Sequence, residues 1–203
     1  MHRFPFLRRQ WLALMAAAAL GLAGCSDSST TSFHGIDLTG ADYAKDFALQ
    51  DFNGQPRTLQ DYRGKIVVIF FGYTQCPDVC PTSLSELVAA KKLLGADGDK
   101  LQGLFVSVDP ERDTPEVLKA YMGNFDPTFV ALYASSPEKL AEVAKHYKVY
   151  YKKVEGKTPT SYTMDHSAGM YIYDTQGRLR LYARYGSGPE ALAADIKKLL
   201  QEK

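Results

Sequence analysis

The chain has 203 residues, and its 24 Lys and Arg against 23 Asp and Glu leave a formal net charge of +1. A charge this close to zero, with no basic block, excludes nucleic acid as the main partner. Removing a targeting segment leaves roughly 150 residues, enough for one domain with its own core, in which the 13 tyrosines read as strand and packing residues.

The N-terminus carries Arg3, Arg8 and Arg9 ahead of an apolar run from Trp11 to Leu22, too short and too small for a membrane span. The run ends Leu22-Ala23-Gly24-Cys25. Small residues before a single cysteine resemble the lipobox of bacterial lipoproteins. That resemblance implies a signal peptide over 1–24, lipidation of Cys25, and a lipid anchor on the periplasmic or extracytoplasmic face of a bacterial membrane. Residues 25–42, rich in Ser and Thr, read as a flexible tether, with the folded domain over 43–203. Cys76 and Cys80 are then the remaining thiols, in an oxidising compartment.

Phe47-Ala48-Leu49 and Pro56-Arg57-Thr58-Leu59 flank Asn53-Gly54, which predicts an N-terminal β-hairpin. Lys65 to Phe71 is a continuous β-branched and aromatic run, as in a strand covered on both faces. After the cysteines, Pro81 suits the first position of a helix whose Leu84, Leu87 and Val88 share one face. A second buried strand runs from Leu101 to Val108. Asp113 and Glu116 then pattern as a capping box, with Pro115 opening a helix to about Met122. Phe129 to Leu132 predicts a short strand, and Ser136-Pro137 a helix to Tyr147. Val149 to Val154 reads as extended and 155–161 as a polar loop. Ala168 to Tyr173 and Leu179 to Tyr185 predict a hairpin across Asp174-Thr175-Gln176-Gly177, and Pro189 opens the last helix. No internal repeat is present. The alternation predicts an α/β fold, a central mixed sheet flanked by helices in a thioredoxin-like order.

Cys76-Pro77-Asp78-Val79-Cys80-Pro81 follows the first buried strand directly. Two cysteines four apart at a helix N-terminus put both sulfurs on one side, where free N–H groups and the helix dipole favour thiolate. Thiolate serves either disulfide exchange or a soft metal; two sulfurs suit Cu(I), and an added imidazole suits Cu(II) as well. Among the four histidines, His2 falls in the signal, His34 in the tether, and His146 at a helix C-terminus as a surface residue. His166 lies just before a strand, in a loop that in this topology approaches the cysteine turn.

The stretch from Gly72 to Pro81, the stretch from Val106 to Pro115, and Asp165-His166, in that order, resemble the Sco/SenC family. The resemblance spans about Phe47 to the C-terminus. It implies a thioredoxin fold and one copper ion, Cu(I) or Cu(II), held by Cys76, Cys80 and His166. It also implies assembly of the binuclear copper centre of cytochrome c oxidase. The implied partners are the copper-bearing oxidase subunit and a copper donor protein or thiol reductant. CxxxC in place of CxxC, and no proline directly before the Ala168 strand, separate the sequence from thioredoxin itself.

A second reading needs only the redox dithiol Cys76 and Cys80: a thiol–disulfide oxidoreductase that keeps a partner's copper-ligand cysteines reduced. A peroxidase of the peroxiredoxin type fits poorly, because Thr74 stands two residues before Cys76 and the upstream proline is missing. Asp78 and Asp109 are candidates to support the cysteines or His166 from behind, against the plain reading of turn residues. Met164 and Met170 read as packing residues, and Lys145, Lys148, Lys152, Lys153 and Lys157 as a solvated face.

Overall fold

The computed structural model describes residues 32–158 and 161–202. The predicted signal peptide, the start of the tether and Cys25 lie outside these residues. No helix among the described residues is long and apolar enough to cross a membrane.

An eight-stranded mixed sheet is built around β4 (Ile66–Gly72) and β5 (Leu101–Ser107), both buried along their whole length. They pair in parallel, and β5 pairs in parallel with β6 (Val130–Tyr133). On the other side β4 meets β9 (Met170–Tyr173) antiparallel, which turns back into β10 (Leu179–Ala183). The N-terminal hairpin of β2 (Leu49–Asp51) and β3 (Pro56–Arg57) lies beyond β6. Its Asn53-Gly54 turn is organised by Asp51, whose carboxylate accepts from the N–H groups of Asn53 and Gln55 at 2.8 and 3.0 Å.

Side-chain direction along β4 sorts the helices. Phe70 pairs with Phe105, and the Phe105 ring meets Tyr121 of α2 (Pro115–Met122) at 5.5 Å. On the same face, the missing Cβ of Gly72 is where Cys80 of α1 (Val79–Leu93) seats its sulfur. Phe71 points the other way, onto Tyr147 at the end of α3 (Pro137–His146), 5.1 Å between centroids. Helix α4 (Pro189–Gln201) packs against α1. The predicted mixed sheet with helices on its faces is therefore present.

Four local expectations change. Helix α1 starts at Val79, so Cys80 and Pro81 lie inside its first turn. Asp113 does not cap α2: Thr114 is the N-cap and accepts from the Val117 N–H, leaving Asp113 buried elsewhere. His166 does not sit in a loop but ends strand β8 (Thr163–His166). That strand pairs with β7 (Tyr151–Val154) in a separate two-stranded sheet, with His166 opposite Tyr151. Only Met164 in this strand is buried, so no apolar period marked it.

The fourth concerns the tether. Ile36–Asp37 forms strand β1 on the edge of the sheet against β10. Just before it, the N–H groups of His34 and Gly35 donate to the buried carboxylate of Asp195 in α4, at 2.9 and 2.7 Å. From there the chain belongs to the domain. A two-residue strand, preceded by two N–H groups held by a side chain about 160 positions away, leaves no local signature.

Candidate metal centre

Gly72 closes β4, and its carbonyl accepts from the Val108 N–H at 2.9 Å, which ties the ends of β4 and β5 together. The chain then turns through Tyr73–Asp78 into α1. A Cβ on Gly72 would stand 2.8 Å from the Cys80 sulfur and 2.9 Å from both the Phe70 and Phe105 rings. Glycine is what lets Cys80 lie, fully buried, against the strand.

Cys76 is half-buried at the mouth of the turn. Its sulfur accepts from the Cys80 N–H at 3.4 Å, one of the free donors of the first helical turn. The two thiols divide one proton unequally. A hydrogen bond from the Cys80 thiol is the main cause that draws Cys76 down to about 3, assisted by the N–H groups of Asp78 and Cys80. Cys80 moves far upward, because its proton is held against the Cys76 sulfur and because it is buried. Cys76 is thus the thiolate and Cys80 the thiol.

His166 supplies nitrogen. Its Nδ1 lies 3.0 Å from the Ser167 carbonyl, which only accepts, so Nδ1 carries the proton and the Nε2 lone pair is free. Nε2 lies 3.4 Å from the Cys80 sulfur. The edges of Phe70 and Tyr73 grip the imidazole at 6.0 and 5.9 Å, near perpendicular. Ser167 is itself fixed by Tyr150: its N–H donates to the Tyr150 carbonyl and its Oγ accepts the Tyr150 N–H, both at 3.0 Å.

The sulfurs of Cys76 and Cys80 and a His166 nitrogen all lie within 4.8 Å of one another. An ion bound at about 2.3 Å from sulfur and about 2.0 Å from nitrogen requires donors roughly 3.5–4.5 Å apart. Two soft sulfurs and one imidazole at this spacing fit copper in either oxidation state. A cleft of about 280 Å³ opens beside them, between the cysteine turn and β8.

The loop after β5 braces both halves of the centre. Asp109, buried, accepts from Arg112 Nε at 2.5 Å and from the Tyr162 hydroxyl at 2.7 Å. Arg112 reaches the Tyr162 carbonyl at 2.8 Å and Gln75 at 3.1 Å, and its guanidinium stacks 3.5 Å over the Tyr162 ring. Since Tyr162 leads into β8, Asp109 reaches His166 through two intermediaries. Asp113 accepts from Thr74 Oγ1 and Ser107 Oγ, each at 2.6 Å, and from the Thr74 N–H at 3.2 Å. Its burial nevertheless lifts the carboxyl above its ordinary value.

Cys76, Cys80 and His166 are therefore brought together, and Asp109 stands behind them. Asp78 is different: its carboxylate is exposed and accepts from the Thr82 hydroxyl at 3.3 Å, so only its backbone N–H serves the cysteines. Met164 and Met170 are buried packing residues. Of the lysines, Lys153 pairs with Glu111 at 2.7 Å and Lys148 lies over the Tyr43 ring. Gly72, Thr74, Arg112 and Asp113 lie inside the two motif stretches, but their supporting roles were not read there, and Tyr162 and Ser167 were not singled out at all; a glycine closing an otherwise bulky strand was the one visible signal of such a role.

A model of the SCO1/SenC family matches residues 37–201. The chain belongs to the SCO1/SenC family. It is 40% identical over 134 residues to the mitochondrial protein SCO2 of Saccharomyces cerevisiae, a match covering 65% of this chain but only 44% of that protein. Bradyrhizobium japonicum ScoI, solved with copper bound, is 46% identical with a TM-score of 0.69, covering 76% of this chain and 98% of that one. BsSco, a member of the Sco family of cytochrome c oxidase assembly proteins with an identified disulfide switch, shares the fold at 21% identity. Its TM-score is 0.64, over 85% of this chain and all of that one. The thioredoxin-like fold expected from the order of elements is thus the fold of the SCO1/SenC chains.

Proposed function

We propose that this SCO1/SenC protein binds one copper ion through Cys76 Sγ, Cys80 Sγ and His166 Nε2, as cargo for the copper-bearing subunit of cytochrome c oxidase. The observation that carries the reading is the three-donor cluster within 4.8 Å, with the imidazole lone pair turned inward by the Nδ1–H bond to Ser167. The copper-bound state of Bradyrhizobium japonicum ScoI supports it, and the family's part in cytochrome c oxidase assembly supports the destination. The test is anaerobic titration of the reduced domain with Cu(I) and Cu(II). Wild type should bind one equivalent, and His166→Ala should lose Cu(II) far more than Cu(I). Unchanged Cu(II) binding would remove His166 from the site.

A thiol–disulfide role on the same dithiol is favoured by one observation, the pairing of a half-exposed thiolate at Cys76 with a buried thiol at Cys80. Complementation of an oxidase-deficient strain decides between them. Rescue by His166→Ala supports the reductase; failure with folded protein supports copper delivery.

The N-terminal segment supports a lipid anchor at Cys25 and a place on the extracytoplasmic face of a bacterial membrane. Incorporation of radiolabelled palmitate, lost in Cys25→Ser, tests this.

A further inference from the structure

We propose that Asp113 is a positioning residue for the dithiol, acting through Thr74 to hold the cysteine turn in its open, metal-receiving shape. The turn's own hydrogen bonds are local: the Cys76 N–H to the Tyr73 carbonyl at 3.3 Å, and the Cys80 N–H to the Cys76 sulfur at 3.4 Å. Neither joins it to the sheet. Asp113 does: one oxygen takes the Thr74 hydroxyl at 2.6 Å, both take the Thr74 N–H at 3.2 Å, and the second takes Ser107 at the end of β5 at 2.6 Å. The carboxylate is 3% exposed, so water does not compete for these bonds. Its own backbone is tied in turn, with the Asp113 N–H on the Asp109 carbonyl at 3.0 Å. Asp109 is the residue that holds the β8 side through Arg112 and Tyr162. One short loop therefore sets the distance between sulfurs and imidazole, Asp113 at one end and Asp109 at the other.

The consequence is a preference between two states of the same sulfurs. A disulfide needs an S–S distance of about 2.05 Å and a fixed dihedral angle. In the clamped turn both cysteines are free, held at hydrogen-bonding rather than bonding distance, with the Cys80 sulfur also 3.4 Å from His166 Nε2. The clamp opposes closure, and releasing it favours the disulfide. The inference rests on Cys76 and Cys80 being the working groups of the proposed site, which the copper titration tests independently.

The experiment equilibrates the protein with glutathione buffers and counts free thiols by alkylation. Two protein thiols and one oxidised glutathione give one protein disulfide and two reduced glutathiones. Thr74→Val, which keeps the shape and removes the hydroxyl, should shift this equilibrium toward the disulfide about tenfold, or about 30 mV. Asp113→Asn should shift it the same way, and Thr74→Ser should stay within about twofold of wild type. Asp51→Asn, which loosens a distant hairpin turn, reads out a loss of stability alone and should leave the equilibrium in place. Thr74→Val within about twofold of wild type overturns the proposal, as does an equal shift in Asp51→Asn or in Thr74→Ser. If reduced wild type takes up no copper while Thr74→Val still shifts the equilibrium, the copper reading fails and the clamp stands.

Discussion

His166 Nδ1 donates to the carbonyl of its own neighbour, Ser167, at 3.0 Å, and this local bond decides which nitrogen faces the cysteines. Ser167 holds its carbonyl in place by exchanging hydrogen bonds with Tyr150 on the segment leading into β7. The metal-facing tautomer is thus set from outside the donor set, as is usual for metal-binding histidines.

Ser167→Ala removes the acceptor of the Tyr150 N–H, one of the two bonds that hold the carbonyl orienting His166; the backbone bond from Ser167 N–H to the Tyr150 carbonyl remains. Cu(II) affinity, measured by chelator competition, should fall about tenfold, within the range for losing such a support. Cu(I), carried by the two sulfurs, should change by less than about threefold. Equal losses for both ions would show that Ser167 acts on the whole domain and not on the imidazole.

Gly72→Ala places a methyl group 2.8 Å from the Cys80 sulfur and 2.9 Å from two rings of the core. Overpacking of this kind costs about 1–3 kcal/mol. Chemical denaturation should show that loss, and copper uptake should weaken because the sulfur is the atom displaced. Wild-type stability in this variant would mean that the strand end relaxes freely.

Cys76 is drawn down to about 3, which carries a sign. A depressed thiol is ionised above its folded value, so at pH 5 Cys76 is thiolate, whereas a free thiol with pKa about 8.5 is nearly all protonated. Between pH 8 and pH 5 the iodoacetamide rate of the reduced protein should change by less than about threefold, while a free thiol slows by roughly a thousandfold. In Cys76→Ser the remaining Cys80 should react slowly across the range. A tenfold loss per pH unit in wild type would contradict the assignment of the thiolate.

Arg112→Ala strips the cation from a carboxylate that is 2% exposed, and breaking a buried pair from one side costs about 3–5 kcal/mol. It also removes the stack on Tyr162, so β8 loses its brace. Thermal denaturation should move down by roughly 10 °C, and Cu(II) binding should weaken more than Cu(I). Preferential loss of Cu(I) would place the brace on the cysteine side instead.

The strands and helices of the sheet core were legible in the chain because burial writes itself into local pattern. Ile66 to Phe71 is apolar throughout and is a central strand; Asn53-Gly54 and Asp174 to Gly177 are turns; Pro115, Pro137 and Pro189 open helices. The cysteines were equally plain, as a spacing at a strand–helix junction. The sequence determined which atoms are soft donors and that His166 is available to join them. What it left open was whether the imidazole arrives, and in which tautomer. His166 is 86 residues from Cys80 and sits on a strand with a single buried side chain, stabilised by pairing with β7. Asp113 shows the same division. In the chain it patterns as a helix cap beside Glu116; in the fold it turns inward to Thr74 and Ser107, because a buried hydroxyl, a half-buried hydroxyl and an N–H need an acceptor there. Local periodicity encodes what a segment buries, whereas contacts between distant polar groups depend on where the sheet brings them, and that only the tertiary structure decides.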